Sequence, residues 1–177
     1  MRIFPPHAKD FYKSGHIFQY PPGTTQVYSN MTCRSSRLAK MLPDFDDKVV
    51  VFGIQGVCTW LLRDLWNDEF FGRPRHEVIA RYKRRMDRAL GPDTVDVSHI
   101  AALWDLGYLP ILIKAMPEGS RVNIRVPILT MVNTKPEFFW LTNFLETQIS
   151  AEIWKAITSA TIANEYKRLL TSFAEQT

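Results

Sequence analysis

An apolar stripe near the C-terminal end of the sequence constrains the fold most strongly. Large apolar residues recur there at every fourth position, which places them on one face of an α-helix. The stripe consists of Leu141, Leu145, Ile149 and Ile153, widened by the aromatic residues Phe138, Phe139, Phe144 and Trp154. Thr134 and Glu137 have the spacing of a capping box with Pro136 in the first turn, so we predict that this helix begins just after Thr134. A further helix is predicted over residues 159–173.

The remaining segments predict an α+β fold, in which a mostly antiparallel sheet is packed by several helices. Strand patterns occur in residues 24–33 and 49–52, and two or three more lie within residues 109–132. In the last region apolar side chains alternate with other residues, as expected for a sheet with one buried face; they are Val122, Ile124, Val126 and Ile128. Helices are predicted over residues 56–66, 75–90 and 98–106. The chain has 177 residues, 46% of them hydrophobic, which is enough for one domain spanning residues 1–177.

Gly53 and Gly56 lie between the predicted strand 49–52 and the helix that follows. Glycines at a strand-to-helix junction can form a phosphate cradle, because a helix N-terminus attracts anions. Two glycines three residues apart are a weak signal for such a site. We therefore favour a tight turn with close helix packing at this junction.

Charge and motifs exclude several classes of function. The net charge of +4 is mildly basic, and the predicted helix 75–90 carries most of the basic residues: Arg81, Lys83, Arg84, Arg85 and Arg88. Because no aromatic residue is interleaved on this face, we predict a solvated surface and no nucleic-acid partner. No apolar run approaches the length needed to span a bilayer, the two cysteines lack metal-ligand spacing, and no secretory signal is evident, so we expect a cytoplasmic protein without membrane contact.

The polar, aromatic stretch DFYKSGHIFQYPPG, which starts at Asp10, is the candidate binding segment. Tyr12 could stack on a planar ligand, and Asp10 could accept hydrogen bonds from an amide or a hydroxyl. Lys13 and Arg34 could neutralise phosphate groups. These residues alone fit either a site for a flat ring with phosphates or a salt-bridged loop.

Several sequence blocks resemble one enzyme family. DFYKSGHIFQYPPGTTQVYSNMTCR resembles the N-terminal signature of the nicotinamide phosphoribosyltransferases. The later blocks VVFGIQ, LGYLPILIKAMPEGSRVNIRVPILTMVNTKPEFFWLTNFLET and EIWKAITSATIANEY are similar to the same family in the same order. The resemblance covers nearly the whole chain. The related nicotinate enzymes fit less well, since the opening and FFWLTN blocks resemble the nicotinamide branch.

The resemblance implies the transfer of a phosphoribosyl group from phosphoribosyl pyrophosphate to nicotinamide, assisted by Mg2+ and coupled in some members to ATP. It further implies that Tyr12 stacks on the nicotinamide ring with Asp10 nearby, and that Arg34 contacts phosphates of the ribose donor. In this family these residues reach across a homodimer interface into the partner's site. The substrate-binding residues implied in this chain are Asp10, Tyr12, Lys13 and Arg34.

The family's remaining site residues, including the magnesium-associated acids, lie in a downstream barrel that has no counterpart in this sequence. Residues 158–177 would then form a helix leading toward that barrel. We expect no catalytic residue and no turnover in this chain alone. It would act by pairing with a barrel-containing chain, as part of a truncated or split enzyme; the alternative is a non-catalytic module that regulates a full-length enzyme.

Overall fold

Residues 3–22 contain four prolines, each of which removes a backbone donor, and the described part of this N-terminal segment forms no α-helix or β-strand. The computed structural model of the protein describes residues 3–37, 39, 42 and 45–176. Both ends of the predicted domain 1–177, namely residues 1, 2 and 177, lie outside the described residues. The N-terminal segment forms three short 3₁₀ turns, Pro5–His7, Phe11–Ser14 and His16–Gln19.

The predicted α+β fold is confirmed, but the strands form two sheets rather than one. The strands are β1 (Tyr28–Thr32), β2 (Lys48–Val50), β3 (Ile111–Ala115), β4 (Arg121–Asn123) and β5 (Pro127–Asn133). One sheet has the order β1-β5-β3 and the other pairs β2 with β4. Every pairing among the described strands is antiparallel.

The alternating pattern from Val122 to Ile128 is divided between β4 and β5, which together with β3 are the two or three strands predicted within residues 109–132. Arg125 has a φ of 67°, in the left-handed region that interrupts an extended strand. Its N–H donates a 2.8 Å hydrogen bond to the Cys33 carbonyl, just beyond β1, so the bend is used to connect the two sheets. Val122 and Ile128 are buried on either side of the bend, whereas Val126 is 42% exposed, so the alternation does not mark one continuous buried face.

Gly53 forms the tight, closely packed turn that the sequence predicts. Its φ is 87°, and a Cβ added there would lie 2.6 Å from the Cβ of Ala156. A glycine is therefore required both by the backbone conformation and by the close approach of the C-terminal helix. The helix after it begins as α1 (Ile54–Gly56) and continues in π-helical turns over Val57–Leu65 and Asn67–Phe71, beyond the predicted end at residue 66.

The next two helices have the predicted bounds. They are α2 (Arg75–Leu90), which ends before Gly91, and α3 (Ser98–Leu106), which ends before Gly107. Val78, Tyr82 and Met86 form the buried face of α2. The 3.6-residue periodicity and a following glycine were sufficient to predict both helices.

The C-terminal helix differs from its prediction at its start and in its length. A 3₁₀ turn, Pro136–Phe138, precedes it without a side-chain cap, so the predicted capping box is not formed. α4 then runs without interruption over 34 residues, Leu141–Ala174, where the sequence predicted two helices. No proline or glycine lies within it to break the hydrogen-bond ladder. Leu141, Leu145 and Ile153 are fully buried, which confirms these positions of the stripe as core, whereas Trp154 is 56% exposed and lies outside it.

Candidate functional site

The N-terminal residues up to Lys13, which include the start of the candidate binding segment, contact three consecutive residues of α4. Gln148 Nε2 donates to the Pro5 carbonyl at 2.9 Å, and its Oε1 accepts from the buried indole N–H of Trp66. Thr147 and Glu146 bind Asp10 and Lys13, as described next. The N-terminal turns are therefore held on the outside of α4 by polar contacts, while Phe4 inserts into the core.

Lys13 is buried, although a lysine at this position was expected to meet ligand phosphates. Its side chain is 3% exposed. Its ammonium forms an ion pair with Glu146 and donates a 2.7 Å hydrogen bond to Thr147 Oγ1. It also lies 3.5 Å from Asp10 Oδ2. In this arrangement Lys13 fixes the 3₁₀ turn to α4, and it would have to leave Glu146 to contact a phosphate.

Asp10 is held by the same threonine and keeps its carboxylate exposed. Thr147 Oγ1 donates to Asp10 Oδ2 at 2.8 Å and accepts from the Asp10 N–H at 3.3 Å. The hydrogen bond from Thr147, aided by the Lys13 charge, lowers the pKa of Asp10 below its usual range. The carboxylate is therefore ionised at neutral pH and oriented to accept further hydrogen bonds from solvent or a ligand.

Tyr12 presents its ring to solvent between these anchored neighbours. The residue is 63% exposed, a large fraction for an aromatic side chain. One neighbour is the His16 ring, whose centroid lies 5.1 Å away at an interplanar angle of 54°. The Lys13 ammonium lies 6.0 Å from the ring centroid. One flat apolar surface thus stands open on a turn whose backbone is fixed, as a stacking site for a planar ligand requires.

The structure brings Asp10, Tyr12 and Lys13 together, but not Arg34. Arg34 lies two residues after the end of β1 and is exposed. Its neighbour Cys33 is fixed by the hydrogen bond from Arg125. Among the described residues, no hydrogen bond, ion pair or ring contact joins Arg34 to the other three.

The sequence did not reveal Glu146 and Thr147 as part of this site. They lie 133 and 137 residues from the groups they bind, within a stretch dominated by core residues. The only signal was the position of two polar residues, adjacent on α4, between buried Leu145 and Gln148. Such a signal is common at any helix edge, so pairing with the N-terminal turn could be found only in the fold.

A half-buried group of basic residues lies beneath the same segment. Lys9 donates to Ser14 Oγ at 2.5 Å, and its ammonium lies 4.7 Å from the Phe144 ring centroid. Burial, then the nearby Arg85 and Lys13 charges, lowers the pKa of Lys9 to about 8. Burial likewise lowers the pKa values of His7 and His99 to about 4, and each has one buried ring nitrogen that finds no hydrogen-bond partner among the described residues.

The described residues contain neither a metal-binding cluster nor a helix able to span a membrane. In the part of the chain that the structure describes, no cluster of three or more His, Cys, Asp or Glu side chains could hold a metal ion. Even the 34-residue α4 lacks an apolar stretch sufficient to cross a bilayer, and no other described helix has one.

Known proteins resemble this chain in sequence and in fold. Residues 7–71 match the family model "Nicotinamide phosphoribosyltransferase, N-terminal domain". The chain is 61% identical over 176 residues to the nicotinamide phosphoribosyltransferase of Acinetobacter baylyi, covering 99% of this chain and 35% of that protein. It is 27% identical to that of Xanthomonas campestris, covering 95% of this chain and 32% of the relative. The chain thus spans about a third of the length of these curated relatives.

The fold recurs in a solved structure. The crystal structure of human nicotinic acid phosphoribosyltransferase matches 86% of this chain with a TM-score of 0.58 and 18% identity, over 27% of that chain. At this identity the likeness concerns the fold alone, and it agrees with the α+β architecture of an N-terminal part of a type II phosphoribosyltransferase.

Proposed function

We propose that this chain, which matches the N-terminal portion of the nicotinamide phosphoribosyltransferases, supplies part of the active site for making nicotinamide mononucleotide. The reaction transfers a phosphoribosyl group from phosphoribosyl pyrophosphate to nicotinamide and releases pyrophosphate. The observation that carries this proposal is the exposed Tyr12 ring on a turn fixed to α4. The 61% identity over nearly the whole chain supports the same assignment.

Each of the four candidate residues has a role that its surroundings favour. The Tyr12 face stacks on the nicotinamide ring and holds the ring nitrogen toward the anomeric carbon of the ribose donor. The ionised Asp10 accepts a hydrogen bond from the carboxamide. Lys13, buried and paired with Glu146, orients the turn that carries both. Arg34, exposed after β1, binds donor phosphates through its planar guanidinium.

The chemistry at the anomeric carbon needs groups beyond these four. The carbon–pyrophosphate bond breaks as the pyridine nitrogen forms its new bond, so negative charge grows on the departing pyrophosphate. Arg34 is the one cation among the four that is free to approach that charge. No group of three or more metal-ligating side chains occurs among the described residues of this chain. Mg2+, and ATP where it is coupled to the reaction, would be bound by the remaining part of the enzyme.

The partner in this proposal is a second polypeptide or a second copy that completes the site. One face of Tyr12 is open, and a ring bound there would gain from a second aromatic surface on its other side. We assign that surface to the barrel of a barrel-containing partner chain in a dimer, acting in the cytoplasm. The chain by itself is then expected to bind substrates weakly and to turn over none.

A regulatory module is the second candidate function. Large apolar side chains lie exposed at three- and four-residue spacing on the last turns of α4: Tyr166, Leu169, Leu170 and Phe173. Such a stripe favours association with another protein surface. A chain that used it to pair with an intact enzyme would change that enzyme's activity without adding a catalytic group.

Reconstitution distinguishes the two functions. Nicotinamide mononucleotide formation is measured with this chain alone, with a second polypeptide covering the rest of the Acinetobacter baylyi relative, and with both together. We expect product only in the mixture. Binding to the second polypeptide without product would favour the regulatory module, and product from this chain alone would contradict the proposed division of the site.

A further inference from the structure

α2 carries a concentration of positive charge that the proposed function does not use. Its sequence contains six cationic side chains and two acidic ones, a surplus of four. They are Arg75, Arg81, Lys83, Arg84, Arg85 and Arg88, against Glu77 and Asp87. This surplus equals the net charge of +4 for the whole sequence, so all other residues together are neutral. Charge concentrated on one helix creates a local attraction for anions.

Two of the six cations are neutralised within the protein. Arg75 forms a bidentate pair with Asp105, with N–O distances of 2.7 and 2.9 Å. Lys83 pairs with Asp87 and Asp93, each at 2.7 Å. Their positive charges are therefore already satisfied on the protein surface.

The other four cations are all arginines, and they share one face of α2. They are Arg81, Arg84, Arg85 and Arg88, and none forms an ion pair with a carboxylate of the described residues. Their spacing of three, four and seven residues makes a stripe roughly 10 Å long. Arg84, Arg85 and Arg88 are exposed and Arg81 is half-buried, so their guanidinium groups remain available to a ligand.

Aromatic rings from the N-terminal segment support this stripe, although the sequence alone showed no aromatic residue on the basic face. The Arg81 guanidinium lies 4.4 Å from the Phe4 ring centroid, and that of Arg85 lies 6.0 Å from the Phe11 centroid. Contacts of this kind restrict a long side chain without neutralising its charge. The arginines and Phe11 line a cleft of about 630 Å³ that also includes His7.

We propose that this cleft binds a linear polyphosphate group, as found in inorganic tripolyphosphate or in a nucleoside triphosphate. Guanidinium groups bind phosphate oxygens in bidentate fashion, and four of them in a row match several consecutive phosphates. A single phosphate would engage only two neighbouring arginines. Nucleic acid fits less well, because Phe4 is buried and Phe11 half-buried, which leaves no open aromatic face in the cleft on which bases could stack.

His7 provides a reporter of occupancy inside the cleft. Its pKa of about 4 reflects burial first, then the charges of Arg85, Arg81 and Lys9. An anion bound by Arg81 and Arg85 offsets their repulsion of the imidazolium. Binding should therefore raise the pKa of His7, which lines the cleft.

The test is calorimetric titration of the full chain with tripolyphosphate at low salt, with orthophosphate as the comparison ligand. Arg84→Gln and Arg88→Gln remove exposed cations of the stripe; Arg75→Gln removes the same charge from the same helix outside the cleft. We expect each stripe variant to weaken tripolyphosphate binding about tenfold, as for loss of one charge-assisted contact, and Arg75→Gln to have little effect. A nucleoside triphosphate that binds more tightly than tripolyphosphate would identify a nucleotide as the source of the phosphates.

Three results would overturn the proposal. They are equal binding of orthophosphate and tripolyphosphate, equal weakening by Arg75→Gln and the stripe variants, and tighter binding of a single-stranded oligonucleotide than of tripolyphosphate. Titration of His7 by NMR, with and without tripolyphosphate, gives an independent result on the same chain. None of these measurements requires nicotinamide mononucleotide formation, so they test the polyphosphate site independently of the proposed function.

Discussion

Thr147 links α4 to the binding turn, and replacing it with valine should loosen that turn measurably. The change removes the 2.7 Å hydrogen bond to the buried Lys13 ammonium while leaving the Glu146 ion pair in place. A hydrogen bond to a charged group contributes about 1.5–3 kcal/mol, so we expect a loss of this order in the free energy of unfolding. For a protein of this size the melting temperature should fall by about 3–12 °C.

The assay is thermal unfolding by circular dichroism at neutral pH, with Thr158→Val as the matched control. Thr158 lies on the same helix, is exposed, and donates only to the Trp154 carbonyl of its own helix. The control removes the same hydroxyl and introduces the same branched side chain without touching the N-terminal turn. Equal melting temperatures for the two variants would refute the assignment of Thr147 as the anchor.

A second readout separates anchoring from a general loss of stability. The hydrogen bond from Thr147 is the main cause of the low pKa of Asp10. In Thr147→Val this pKa should therefore rise toward its usual value, and hydrogen exchange at the Asp10 amide should accelerate. Carboxyl NMR titration and amide exchange measure these two effects directly.

Two further predictions concern the core and the turn at Gly53. Burial lowers the pKa of His99 to about 4, so between pH 6.5 and 4 the unfolded chain binds more protons than the folded chain. The free energy of unfolding should therefore fall by about 3 kcal/mol as the pH drops through this window. The free energy of unfolding, measured in urea as a function of pH, should change less with pH for His99→Gln than for the exposed-site control His76→Gln. Parallel pH profiles for the two variants would contradict the assignment of this pH dependence to His99. Gly53→Ala should lower the free energy of unfolding by about 1–3 kcal/mol more than Gly107→Ala does. Both glycines have a positive φ, but only a Cβ at position 53 would clash with Ala156. Equal urea midpoints for the two variants would contradict this prediction.

The sequence predicted those elements that depend on local periodicity and local stop signals. α2 and α3 were found at their true bounds because each has a buried stripe and ends at a glycine. The interruption predicted within α4 was wrong. Two threonines lie near this position: the Thr158 hydroxyl donates to the Trp154 carbonyl, and Thr161 accepts a hydrogen bond from the Val50 N–H. Polar residues in a helix do not end it when the fold gives them partners.

What the sequence could not predict depends on contacts between distant segments. The division of five strands into two sheets follows from the left-handed turn at Arg125 and its bond to Cys33. Lys13 was assigned to phosphate from its chemistry alone, whereas its burial depends on Glu146, 133 residues away. Likewise, the rings beneath the arginines of α2 come from Phe4 and Phe11, which no local pattern associates with that helix.

The central claim is that Tyr12 forms part of a nicotinamide site, and steady-state kinetics of the reconstituted enzyme test it most directly. Tyr12→Ala removes an exposed ring with few contacts, so folding should be retained. We expect kcat/KM for nicotinamide to fall by an amount equivalent to about 1–3 kcal/mol, from lost stacking and burial. Tyr108→Ala, another exposed tyrosine outside the binding segment, should leave it unchanged. Unchanged kinetics for Tyr12→Ala would remove Tyr12 from the site and contradict the account.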